Sequence, residues 1–474
     1  MKKINLLIFI FTLMLPFTLF AQKGQTTEQR IDALFASFHN EMPGVTVAVS
    51  VDGKLVYNKA FGLANLEYNV PNTTATIFEA GSVSKQFVAA GVLMLAKEGR
   101  LSLGDDVRKY VPELPVYEAT ITIDMLLSHT SGLKDWGAIY SLTGWPRTTR
   151  VYTQELGYDI IFRQKSLNFY PGSQYSYSNS NYMMLTLIVE RVSGLSLAQF
   201  TAQRFFGPMG MSQTSWRDNH RAIVPGRATA YDKRDGKFLQ NMPFEDLHGP
   251  GGLLTTTHDL LIWNRLLEGE EMFGSEYAIN RVAERKLNDG KGCGYAAGLT
   301  IGKYNGNDEI AHSGSTAGYR AWLAWYPQKR LSVVLLSNYA QFQPVQIGRA
   351  IAASFLGEEP VAPAQSVAKA DDKTDEKTDE KAATAKRDHK SLAEYEGAYF
   401  SEEAGSTTFL ITFKDGRLEV RRRADESFIL TNLSGDKFSS EGNGEYLFTR
   451  DRRGKINGFK VSVMRASDIP FYIL

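Results

Sequence analysis

From Val83 to Ala96 apolar residues fall on nearly every face of a helical wheel, which predicts a helix buried all round and stopped by Gly99. Upstream, "TEQRIDALFASFHN" spaces Ile31, Leu34, Phe35 and Phe38 as a short amphipathic helix does. "GVTVAVSVDGKLVYNKAFG" reads as a hairpin turning at Asp52 and Gly53. The middle of the chain is helical and loop-rich. Strands return near "CGYAAGLTIG", "EIAHSGS", "YRAWLAWYP" and "LSVVLLSNY", and "PVQIGRAIAASFLG" follows as a helix. Outer strands split by a helical insertion imply one sheet closed by both ends of a single domain, from about Thr27 to Gly357.

Composition then changes. "EEPVAPAQSVAKADDKTDEKTDEKAATAKRDHK" holds almost no large apolar residue and reads as a disordered, charged linker over 359–390. Its acidic run could be taken for a metal site, but the alternating lysines neutralise it. From 391 to 474, runs such as "TTFLITFKDGRLEVRR" alternate in strand fashion and turn at Asp415-Gly416 and Arg453-Gly454, which predicts a small antiparallel barrel or sandwich. This tail is expected to be a domain separate from the catalytic motifs. At the other end, residues 1–21 have a basic start, an apolar run and small Ala21, the pattern of a signal peptide. The mature chain, with its main domain over 22–358, is therefore expected in an extracytoplasmic space, periplasmic or secreted, with no membrane span after cleavage.

A formal net charge of +1 over 474 residues gives no footprint for nucleic acid, and a lone cysteine, Cys293, excludes an intramolecular disulfide or a cysteine metal cluster. No cofactor is expected. What remains to explain is Ser82 and Lys85 at the mouth of the apolar helix. A serine hydroxyl needs a base to take its proton, and lysine serves only if its pKa falls well below about 10.4. Burial would do that. The spacing recurs at Ser131/Lys134, Ser366/Lys369 and Ser434/Lys437, but only Ser82 opens a long apolar helix, whose positive end favours an oxyanion.

Two more stretches offer groups to a cleft. "FYPGSQYSYSNSNYMMLTLIVERVSG" puts Tyr177 and Asn179 in a short loop before an apolar helix, and "AHSGSTAGY" puts His312 and Gly314 on an edge-like strand among small residues. His129 in "LLSHTSGL" reads as a structural histidine. His258-Asp259 reads as part of a Thr-capped helix start, and Gly292-x-Gly294 as close strand packing. No Gly-x-Ser-x-Gly elbow is present.

Taken in order, Ser82-x-x-Lys85, Tyr177-Ser178-Asn179 and His312-x-Gly314 resemble the three motifs of penicillin-recognising serine hydrolases, nearest to the class C β-lactamase and D-alanyl-D-alanine peptidase-like family. "GMSQTSW" and "GPGGLLTTTHDL" match as well, and the tail resembles a lipocalin-like module. The resemblance implies an α/β (α+β) fold, an antiparallel sheet flanked by helices with an inserted all-helical region, plus a small C-terminal all-β barrel. It also implies roles. Ser82 would form an acyl-enzyme, while Lys85 and Tyr177 would share proton transfer. Asn179, His312, Gly314 and Ser315 would bind substrate, and the N–H groups of Ser82 and Ser315 would form the oxyanion hole. His312 replaces the lysine usual in class C β-lactamases, which favours D-amino-acid peptides, such as those derived from the cell wall, over β-lactams. Its ordinary pKa near 6.5 would give it a partial charge with which to read a carboxylate. A β-lactamase, an esterase and a non-hydrolysing penicillin- or partner-binding module are the alternatives.

Overall fold

The computed structural model of the chain describes residues 25–146, 149–267, 274–357 and 389–474. The expected signal peptide lies outside these residues, as does the expected linker save its last two positions.

The hairpin forms as its sequence dictates. Strands β1 (Val45–Val51) and β2 (Lys54–Phe61) flank Asp52 and Gly53, whose φ values of 50° and 70° suit the left-handed two-residue turn that Asp-Gly favours. Four later strands complete the sheet: β3 (Thr300–Tyr304), β4 (Asn307–Thr316), β5 (Tyr319–Tyr326) and β6 (Leu331–Ser337). The order is β3-β4-β5-β6-β1-β2, antiparallel throughout, with Val45 opposite Ser337, so both ends of the domain close one sheet as expected. "CGYAAG" is not strand. Gly294 and Gly298 take φ near 72° and 75°, and a side chain on Gly298 would meet the Gln86 backbone at 2.8 Å. The strand therefore begins only at Thr300.

Both sheet faces are covered, which is why β1 and β6 read as unbroken apolar runs. Val45, Val47, Val49, Leu331, Val333 and Leu335 pack with Ile31 and Phe35 beneath helices α1 (Thr27–Leu34) and α5 (Pro344–Leu356). The alternate residues Ala48, Val334 and Leu336 face the helical layer. At its centre lies α2 (Lys85–Lys97), buried on all sides from Lys85 to Leu95 and ended at Gly99, φ 69°. Against α2 packs α3 (Asn179–Ser193); α4 (Thr257–Asn264) sits over the sheet. Among the described residues no single helix is long and apolar enough to cross a membrane.

The tail is a closed eight-stranded antiparallel barrel, β7 (Gly397–Ser401), β8 (Thr407–Lys414), β9 (Arg417–Arg423), β10 (Glu426–Ser434), β11 (Lys437–Ser440), β12 (Gly444–Arg450), β13 (Ile456–Val463) and β14 (Ala466–Ile473). Tyr399, Phe409, Tyr446, Phe448, Phe459 and Phe471 fill its interior, with Phe459 and Phe471 stacked at 4.8 Å between ring centres. Each such buried ring contributes roughly 1.5–3 kcal/mol. The barrel is docked on the helical layer. Gln164 Nε2 donates to the Glu403 carbonyl at 2.9 Å, Asn168 Oδ1 accepts from the Ser467 N–H at 2.9 Å, and the Asp135 N–H donates to the Arg465 carbonyl at 3.1 Å.

Candidate active site

Ser82 sits not on α2 itself but on a 3₁₀ turn, Gly81–Ser84, that feeds it; Lys85 is the first α-helical residue. The tighter winding sets residues three apart almost directly in line, and Lys85 Nζ lies 3.1 Å from Ser82 Oγ. Strand β4 runs past this turn. Its pairing with β3 ends at Ala311, so residues 312–316 extend beyond that neighbour towards the serine. Two glycines let the backbones touch: a Cβ on Gly81 would fall 2.7 Å from the Ser315 nitrogen, and one on Gly314 only 2.0 Å from the Ala80 carbonyl oxygen. Gly314 thus serves the packing of the site. The turn that carries Ser82 and the strand that carries Ser315 meet there.

Lys85 is wholly buried, and burial pushes its pKa far below the usual lysine range; the Asp135 carboxylate opposes this and the Arg465 charge adds to it. Besides Ser82, Nζ contacts Asn179 Oδ1 at 2.9 Å and the Pro250 carbonyl oxygen, from the "GPGG" stretch, at 2.7 Å. Those two oxygens only accept hydrogen bonds. A neutral amine therefore spends both N–H groups on them and aims its lone pair at the serine hydroxyl. Asn179 is held the right way round because its Nδ2 donates to Asp135 Oδ2 at 3.0 Å.

The Tyr177 ring lies 4.8 Å from Lys85 Nζ. Its hydroxyl is buried with no hydrogen-bond partner among the described residues, so burial raises its pKa, while the nearby Ser82 hydroxyl pulls the other way. His129 supports it. The His129 ring packs on that of Tyr177 at 4.3 Å, and its Nδ1 accepts from the Ser178 N–H at 3.2 Å, a structural histidine as the sequence reading had it.

His312 lines the same cleft, but its charge departs from expectation. Nδ1 lies 2.6 Å from the Ser313 carbonyl oxygen and must carry the proton, so Nε2 accepts from the Tyr295 hydroxyl at 2.8 Å. Burial, with Lys85 nearby, drives its pKa down to about 3. It is neutral at physiological pH.

The cleft, about 470 Å³, is lined by Ser82, Tyr177, Asn179, His312 and Ser315, by Trp136 and Glu245, and by one residue of the barrel, Arg465. Sequence reading found neither Arg465 nor Asp135. Of the other Ser-x-x-Lys pairs, Ser366/Lys369 lies outside the described residues, Ser434 pairs with Lys437 across the β10–β11 hairpin, and Ser131 and Lys134 turn to different partners. Ser131 Oγ donates to Asn181 Oδ1 at 2.5 Å while Lys134 reaches Ser166 at 3.0 Å. His258 is exposed, and Asp259 is buried and accepts from Thr214 at 2.7 Å, tying "GMSQTSW" to the Thr256-capped start of α4. Among the described residues no group of His, Cys, Asp or Glu is arranged to hold a metal ion.

Residues 28–356 match the beta-lactamase family, and the chain belongs to it, a family of serine hydrolases. It is 28% identical over 309 residues to penicillin-binding protein 4* of Bacillus subtilis, covering 62% of this chain and 67% of that protein. With a D-aminopeptidase of Gluconobacter oxydans it shares 28% identity over 327 residues, 69% of this chain and 61% of the relative. The chain thus spans about three-fifths to two-thirds of these relatives. Among solved structures, the octameric penicillin-binding protein homologue from Pyrococcus abyssi superimposes with a TM-score of 0.62 at 24% identity, over 94% of this chain and 99% of its own. The D-amino acid amidase of Ochrobactrum anthropi gives 0.55 at 21%, over 66% and 90%. Both share the fold, and the first extends over the barrel.

Proposed function

We propose that the protein hydrolyses an amide or ester through an acyl-enzyme on Ser82, and that its substrates are D-amino-acid peptides. The observation that carries this is the desolvated Lys85, its two N–H groups engaged by Asn179 and Pro250 and its remaining direction aimed at Ser82 Oγ. In this reading neutral Lys85 takes the serine proton as Oγ attacks the carbonyl. The N–H groups of Ser82 and Ser315 receive the oxyanion; in the best-studied comparison one such donor contributes about 3–4 kcal/mol. Tyr177, kept protonated by burial, hands its proton to the leaving group and recovers the one Lys85 took from Ser82; water, giving up its proton along the same path to the departing serine oxygen, then releases the acyl group. The D-peptide preference is supported by His312 in place of a lysine and by the names of the Gluconobacter and Ochrobactrum proteins. Export belongs to the proposal through the leader-like pattern of residues 1–21.

Intact-protein mass spectrometry after exposure to a penicillin, a D-Ala-D-Ala peptide and a simple ester tests this. The expected result is an adduct on Ser82 that turns over with the peptide and is absent in Ser82→Ala. Adducts that never turn over would make the protein a binder, and labelling of Ser82→Ala would move the nucleophile elsewhere.

A further inference from the structure

The geometry points to Arg465, from the C-terminal barrel, as the residue that receives a substrate carboxylate in the catalytic cleft. It rests on the reading of that cleft as an acyl-transfer site. Arg465 sits on the turn between β13 and β14 and lines the cleft alongside Ser82, Tyr177 and His312. Its backbone is anchored to the catalytic domain: the carbonyl accepts from the Asp135 N–H at 3.1 Å and from Asn168 Nδ2 at 3.0 Å. The side chain is not similarly engaged. Its guanidinium lies 5.4 Å from the Tyr177 ring centre, and among the described residues no hydrogen bond or ion pair occupies its N–H groups. The Tyr177 ring face supports the cation from one side, and its N–H fork, with no counter-ion, stays open to a ligand.

The other ionisable groups of the cleft cannot take this role. Lys85 is buried beneath Ser82 with its donors engaged, and His312 is neutral with both ring nitrogens bonded. Glu245 lies 3.5 Å from Arg217, which also grips Glu79 at 2.8 Å. Tyr177 is apolar on the face it offers the guanidinium. Arg465 is left as the accessible positive group, and its planar fork matches a carboxylate through two parallel hydrogen bonds. A peptide with a free terminal carboxylate provides that partner.

A matched pair of substrates separates this role from a structural one: a D-alanyl dipeptide with a free C-terminal carboxylate and its carboxamide twin, assayed with the full chain. In Arg465→Met, which keeps the stem and deletes the charge, the ratio of kcat/KM for acid over carboxamide is expected to fall roughly 30-fold or more, mostly through KM. Arg465→Lys should recover part of the ratio, having the charge without the fork. An unchanged ratio in Arg465→Met, whatever happens to the absolute rates or the melting temperature, overturns the assignment while leaving the acyl-enzyme reading intact. Wild type that turns over neither twin, and forms no Ser82 adduct with them, overturns both.

Discussion

Asp135 accepts two hydrogen bonds from Asn179, from its backbone N–H at 2.7 Å and from its side-chain Nδ2 at 3.0 Å. The second fixes the amide so that Oδ1 faces Lys85. Asp135→Asn would place a donor beside Nδ2 and release that orientation. Asparagine can still cap the helix Trp136–Ser141 through its Oδ1, but two Asn179 donors lose their buried acceptor, so a stability loss of about 1–3 kcal/mol is expected beside the loss of activity. We expect kcat to fall on the order of 10²-fold. The acid limb of the rate profile should also move to lower pH, since the lost carboxylate had favoured charged Lys85. A kcat/KM profile from pH 4 to 9 checks both; an unmoved limb would reduce Asp135 to a helix cap.

Lys85 and Tyr177 converge on one hydroxyl, so they are expected to act as a unit. Lys85→Met and Tyr177→Phe should each cost nearly as much activity as the double variant. Losses that multiply in a double-mutant cycle would mean that the two act independently.

Gly314→Ala should damage catalysis more than folding. Its Cβ would press on the Ala80 carbonyl at 2.0 Å and force β4 away from the serine turn. Overpacking of this kind costs about 1–3 kcal/mol, yet a shift of a fraction of an ångström at Ser315 should lower kcat by roughly 10² or more. Urea unfolding and steady-state kinetics on one preparation compare the two losses.

His312 has a folded pKa of about 3, below the unfolded value near 6.5. The unfolded chain therefore takes up the proton first. The stability this group confers is present above about pH 6.5 and is lost as pH falls towards 3, with a slope of at most about 1.4 kcal/mol per pH unit. Buried His129, also depressed, adds to the same trend. His312→Gln should flatten the decline in unfolding free energy between pH 7 and 4.5. Over pH 5 to 9 the acid-to-carboxamide preference should not change with His312, since the ring does not titrate there.

The sheet, the all-buried helix, the barrel and the three motifs were legible because each is written locally, in periodicity, in an Asp-Gly turn or in residues a few positions apart. What escaped was made by tertiary approach. Asp135 looks like an ordinary helix cap until α3 brings Asn179 to it, and Arg465 is one more arginine in a basic strand turn until the barrel docks. The charge of His312 was misjudged for the same reason. Sequence supplies its ordinary pKa but not the Tyr295 hydroxyl and buried setting that hold it neutral. "CGYAAG" failed as a strand because Gly298 makes room for the start of α2.

The barrel's interior is filled by packed aromatic rings, and a sheet closed on itself offers no edge to a partner strand. What such a body can still vary without unfolding is its turns. On the Arg465 assignment, bond-making is encoded in the catalytic domain and one element of choosiness in the barrel, so the two can drift under separate selection. A laboratory library confined to residues 463–466 would explore new preferences while every library member keeps the same nucleophile.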